Sequence, residues 1–159
     1  MLSDLNELLA QKDKMKLFVG IGNLLKSDDG VGVYISKKIK NKSSVTSLTV
    51  EASIENYIGK IVTMDPDILI LIDCMEMKEV SGSFKLLALS QIQDMTFNTH
   101  NISLKRLSEF FKMPVYILGI QPEKIGFGEE ISYLVKRGAD KIIKQINKKE
   151  VNYASRISL

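Results

Sequence analysis

The chain has 159 residues, the common size of one domain, and 45% of them are hydrophobic, enough to build a sizeable core. A charged share of 26% with only 3 prolines and 10 glycines excludes a disordered, collagen-like or low-complexity chain. The formal charge of +3 is spread over stretches such as residues 37–42 and 144–149 without interleaved aromatics, so it describes no nucleic-acid surface.

Residues 1–14 alternate Leu2, Leu5, Leu8 and Leu9 with Asp4, Glu7 and Lys12. This is an amphipathic N-terminal extension, read as a short docking helix, without the unbroken apolar stretch of a signal peptide. From residue 15 to about 150, short apolar runs alternate with helical periodicity. That pattern predicts a single-domain α/β three-layer sandwich, with a mostly parallel central sheet of about five strands flanked by helices. Residues 15–20 read as a first buried strand, followed after Gly22 and Asn23 by a helix over about residues 30–42 with Val31, Ile35 and Ile39 on its packed face.

Residues 45–51 read as a second strand. Residues 54–62 read as a helix with Ile54, Ile58, Ile61 and Val62 inward and Ser53 as its N-cap. Pro66 opens a third strand, apolar on both faces from Ile68 to Ile72 and therefore central, which is expected to end at Asp73. The turn at Ser81 and Gly82 leads to residues 84–89, close enough in sequence to pair antiparallel at an edge. His100 precedes a helix bearing Leu104, Leu107, Phe110 and Phe111. Residues 115–120 form the last strand, and residues 129–148 form a helix burying Ile131, Leu134, Val135, Ala139, Ile142 and Ile146, with an acidic start and a basic end that suit its dipole. Residues 151–159 are a C-terminal tail. No apolar run is long enough to span a bilayer.

Open parallel sheets bind ligands at the carboxyl ends of their strands. The residues expected there are Asp28 and Asp29, Glu51 and Asp73, with His100, the single histidine, in a loop that can face the same crevice. Two carboxylates and an imidazole from separate loops can hold a divalent zinc, nickel or iron ion with positions left open, and a metal can polarise a peptide carbonyl and acidify water without a conventional nucleophile. Blander readings compete. Asp28 or Asp29 can cap the following helix, Asp73 can satisfy loop amides, and a lone histidine can be structural. Cys74, the single cysteine, excludes an internal disulfide, fits a reducing cytoplasm, and reads as a packing residue whose thiolate a neighbouring carboxylate disfavours. Gly20-Ile21-Gly22-Asn23 is a poor dinucleotide fingerprint, because Leu25 stands where the third glycine belongs and two acidic side chains would repel a pyrophosphate.

The order and spacing of Gly20-Ile21-Gly22-Asn23, Asp28-Asp29-Gly30, Ile72-Asp73, Thr99-His100-Asn101, Leu118-Gly119-Ile120-Gln121-Pro122 and Gly126-Phe127 resemble the nickel-iron hydrogenase maturation endopeptidases, especially the branch serving hydrogen-evolving or formate-linked hydrogenases. The resemblance implies a metal-binding triad that falls on Asp29, Asp73 and His100. It also implies nickel carried by the substrate, the large-subunit precursor of the hydrogenase, and removal of that precursor's C-terminal peptide after metal insertion. One departure stands out: relatives place Asp-Gly-Gly after the second strand, where this chain has Glu51-Ala52-Ser53. Two readings compete with a peptidase. One is a chaperone that docks a nickel-bearing subunit without cutting it; the other is a nucleotide- or small-molecule-binding α/β domain with its ligand at residues 20–23.

Overall fold

A computed structural model describes residues 2–51, 53–92, 98–99, 106 and 109–148. Helix α1 (Leu2–Leu9) precedes β1 (Lys16–Ile21), a 3-10 turn (Ser27–Gly30), α2 (Val31–Lys38) and β2 (Val45–Glu51). A second 3-10 turn (Ile54–Tyr57), α3 (Ile58–Met64), β3 (Ile68–Glu76), β4 (Phe84–Ala88) and α4 (Leu89–Ile92) follow, and then β5 (Asn98–Thr99), β6 (Val115–Ile120) and α5 (Tyr133–Ile146).

The sheet runs β2-β1-β3-β6-β4, with β5 paired to β3 off that path. The four strands β2, β1, β3 and β6 are mutually parallel, and β4 lies antiparallel against β6 at the edge, as its short connection to β3 requires. Every residue of β1 is buried, which fits its place between two parallel neighbours under helices on both faces. One face packs Phe18, Ile70, Ile72 and Leu118 against α2, α5 and Leu5 and Leu8 of α1. The other packs Leu17, Leu69, Leu71 and Ile117 against Ile54, Ile61, Leu89, Ile92 and Phe111. Among the described residues no helix is long and apolar enough to cross a membrane.

The predicted elements that fall on described residues exist, but several boundaries and faces move; the helix expected after His100 lies largely outside the described residues. α2 stops at Lys38 instead of residue 42, because Asn147 bonds the Lys38 carbonyl at 2.8 Å and the Lys40 amide at 2.8 Å, offering the backbone partners outside the helix. Val62 is exposed and Ser53 makes no side-chain cap bond, since the segment opens as a 3-10 turn that rotates the later helical positions. β3 does not end at Asp73: it continues to Glu76, because Asp73 and Cys74 pair with Gly119 and Ile120 of β6 and the next two residues pair with β5. α5 starts at Tyr133, so Glu129 and Glu130 precede it, and Leu134 is exposed. Phe110 is exposed, whereas Leu104 and Leu107 lie outside the described residues, as does the C-terminal tail.

Candidate active site

β1 leads through α2 to β2 on one side, and the chain then crosses back to place β3 on the other side of β1. The crevice beyond the carboxyl ends of β1 and β3 is therefore the topological switch point of the sheet. The β1–β3 ladder ends at Gly20↔Ile72, so Asp73 is the first β3 residue beyond it. Two glycines seat α2 directly on this point. A Cβ on Gly32 would stand 2.2 Å from the Ile72 carbonyl oxygen and 2.4 Å from that of Ile21, and a Cβ on Gly20 would stand 2.0 Å from Ser36 Oγ. Larger residues would lift α2 off the sheet and carry the preceding turn, with Asp29, away from β3.

Asp28 and Asp29 are both buried in that turn, and they do different work. Neither caps α2, whose N-cap is Gly30 with no side-chain bond. Asp28 reaches across the fold: its Oδ2 accepts from the amides of Glu123 (2.9 Å) and Lys124 (2.8 Å) and from Ser132 Oγ (2.8 Å), and its Oδ1 accepts from the Ser132 amide (2.6 Å). The expected helix cap is thus a long-range clamp on the loop between β6 and α5. Ser132 donates its hydroxyl to Asp28 and makes no side-chain cap bond to the helix it precedes.

Asp29 Oδ2 accepts the Asn23 amide at 3.1 Å, folding the loop back on itself. That bond takes an amide that a phosphate would use, and a Cβ on Gly22 would stand 2.0 Å from the Asp29 carbonyl oxygen. The turn is filled by its own backbone and acids, which speaks against a nucleotide there. Asp73 is fully buried, with Oδ1 accepting the Cys74 amide at 2.8 Å. Burial pushes the Cys74 thiol far above its ordinary range, and the charges of Asp73, Asp29, Asp28 and Glu76 push it further. These acids therefore share one electrostatic neighbourhood, and Cys74 is not a thiolate nucleophile at neutral pH.

His100 lies outside the described residues. The residue before it, Thr99, pairs with Met75, two positions beyond Asp73 on β3. Among the described residues no three metal-ligating side chains form a group. Glu51 is exposed at the end of β2, where the ladder skips Val50, and its carbonyl accepts the Gly22 amide at 2.7 Å. It holds φ +54°, a left-handed conformation that costs a non-glycine residue roughly 1 kcal/mol.

Sequence reading placed Gln121 in a family motif but gave it no role. Its buried side chain accepts from the Met77 amide (2.7 Å) and the Glu79 amide (3.3 Å) and donates to Glu76 Oε2 (2.9 Å), binding the end of β3 to that of β6. A polar residue directly after a wholly apolar strand was the available signal. Gly32, a glycine within an apolar helical pattern, was another.

The fold and crevice define a doubly wound α/β protein with buried carboxylates at its switch point. The hydrogenase maturation protease family model matches residues 31–149. A Methanocaldococcus jannaschii protein assigned as a hydrogenase maturation protease is 33% identical over 153 residues, covering 82% of this chain and 88% of that one. The hydrogenase 3 maturation protease of Escherichia coli K12 is 25% identical, with 83% and 88% covered. The crystal structure of a NiFe hydrogenase maturation protease from Thermococcus kodakarensis superposes with a TM-score of 0.77 at 25% identity, over 92% of this chain and 99% of that one. The chain belongs to the hydrogenase maturation protease family. It is a hydrolase, a peptidase of hydrogenase maturation, and the reading as a non-cutting chaperone gives way to that.

Proposed function

We propose that this peptidase removes the C-terminal extension of a nickel-iron hydrogenase large-subunit precursor after nickel insertion, with Asp29, Asp73 and His100 meeting the nickel that the substrate carries. The observation that carries the reading is the burial of Asp29 and Asp73 at the switch point, one from the loop after β1 and one from β3. A nickel ion carried by the substrate adds positive charge beside these buried carboxylates, which strengthens the docked state. The donor set fits: two carboxylates and one imidazole suit a divalent ion of intermediate hardness and leave positions open for ligands from the precursor.

The chain's own residues hold this arrangement in place. The Asn23 amide orients Asp29, the Cys74 amide orients Asp73, and the Gly20 and Gly32 contacts hold the turn before α2 against the end of β3. Nickel held between the two proteins supplies Lewis-acid polarisation of the scissile carbonyl. Asp29 and Asp73 then favour the docked state only when the precursor brings positive charge, so metal insertion licenses cleavage. The free enzyme, with an incomplete ligand shell, holds divalent ions weakly, and the buried lone cysteine fits a reducing cytoplasm.

The test incubates the enzyme with folded precursor prepared with and without nickel and follows tail release by mass spectrometry. Release from the nickel form alone is expected, and equal rates on both forms would overturn metal sensing.

A further inference from the structure

Beside the crevice the chain exposes apolar side chains on a support that is hydrogen-bonded throughout. Leu24 and Leu25 follow β1 and are 38% and 59% exposed; Ile125 and Phe127 lie between β6 and α5 and are 38% and 88% exposed. The two loops are one unit. Leu25 accepts the Gly128 amide at 3.0 Å, the Ser27 amide donates to Gly128 O at 2.7 Å, Ser27 Oγ donates to Gly126 O at 2.8 Å, and the Asp28 amide donates to Lys124 O at 2.9 Å. The four bonds to the Asp28 carboxylate close the same loop from beneath. Ser27 is held at φ +51°, a conformation that a serine keeps only when its surroundings impose it.

We infer that Leu24, Leu25, Ile125 and Phe127 form the docking platform for the precursor, and that they receive an apolar stretch of its chain next to the bond that is cut. The inference rests on the crevice at Asp29 and Asp73 being the catalytic centre. A peptidase must lay its polypeptide substrate across the surface adjoining that centre, and Asp29 lies two residues from Ser27, within the clamped unit. Loose loops can fold their apolar side chains inward, whereas this backbone is pinned and presents Phe127 to solvent. Ordering such a surface beforehand lowers the entropic cost of binding. The exposed rim carries both signs, Lys26 and Lys124 with Glu123, Glu129 and Glu130, so selection here falls on apolar content and shape more than on charge. Asp28 is then a positioning residue, acting through the loop it clamps.

Steady-state cleavage of nickel-loaded precursor tests this with Phe127→Ser, Leu25→Ser and the double variant. Circular dichroism and melting serve as fold controls, because both side chains are mainly in solvent. Phe127→Ser should raise KM about tenfold and the double variant further, with kcat at saturating precursor within about twofold of the parent. Phe127→Leu should recover most of the loss. An unchanged KM in the double variant overturns the platform. So does an unchanged KM accompanied by a shift from dimer to monomer in sedimentation, which assigns the face to a second copy of the chain. Asp29→Asn and Asp73→Asn run beside these variants. If they cleave normally while Phe127→Ser still raises KM, the face still binds precursor, but the reading of the crevice fails and with it the placement beside the bond that is cut.

Discussion

Charge is buried at both ends of β1, and the two ends use it differently. At the amino end Lys16 is fully buried, and its Nζ donates to the carbonyls of Gln11 (2.6 Å) and Lys14 (3.0 Å), closing the connection from α1. At the carboxyl end the buried charges are acids drawn from separate elements: Asp28 and Asp29 from the turn before α2, and Asp73 from β3. The Lys16 ammonium reaches carbonyls only two and five residues back in sequence. The carboxyl end joins segments about a hundred residues apart, as the Asp28 bonds to Glu123, Lys124 and Ser132 demonstrate. Strand direction explains the contrast. In parallel strands the loops that can diverge into a crevice gather at the carboxyl ends, so long-range acids there can meet a substrate while the cation below only closes the chain.

Substitutions at the two ends should therefore separate catalysis from stability. The greatest effect is expected from Asp29→Asn and Asp73→Asn. Each preserves shape and removes charge, so cleavage of nickel-loaded precursor should fall at least about a hundredfold. Melting temperature should stay close to that of the parent. Near-normal cleavage by both variants would abolish the distinction between the ends.

Asp28→Asn sharpens the comparison within the carboxyl end. If Asp28 were a helix cap, asparagine would serve about as well. As a carboxylate accepting four hydrogen bonds it cannot be replaced by a group that turns an NH2 toward amide donors. A loss of about 3 kcal/mol is expected, read as a drop of roughly 6–12 °C in melting temperature. Retained stability would return Asp28 to a capping role. At the amino end, Lys16→Met leaves the Gln11 and Lys14 carbonyls without their ammonium donor and should cost about 2 kcal/mol. Turnover per folded molecule should not change, and a large fall in kcat would break the assignment of this end to structure alone.

The smallest effect concerns a pair away from both ends. The Tyr34 hydroxyl donates to Asp140 at 2.7 Å, and burial, with that bond and the carboxylate charge, pushes its pKa up to about 12. The unfolded value is about 10. A folded pKa raised above the unfolded one means stability that is complete below pH ~10 and lost as pH climbs through about 12. Between those values the parent should lose melting temperature faster than Tyr34→Phe. Parallel slopes in the two proteins would remove the linkage.

The apolar runs of β1, β3 and β6 were readable as buried strands, because a strand covered on both faces needs apolar residues without alternation. The short step from β3 to β4 foretold an antiparallel edge for the same kind of local reason. Asp29 and Asp73 stood out in the sequence as acids following apolar runs, a matter of chain order. Tertiary structure alone could separate Asp28 from Asp29, since a carboxylate's partners 95 to 104 residues away leave no trace in its neighbours. It also decided that β3 runs past Asp73, that Val62 faces solvent and that α5 waits for Ser132. Periodicity reports which face of an element is apolar. Where an element stops, and which buried charge finds a backbone partner, depends on the hydrogen-bonding groups that the rest of the chain brings to it.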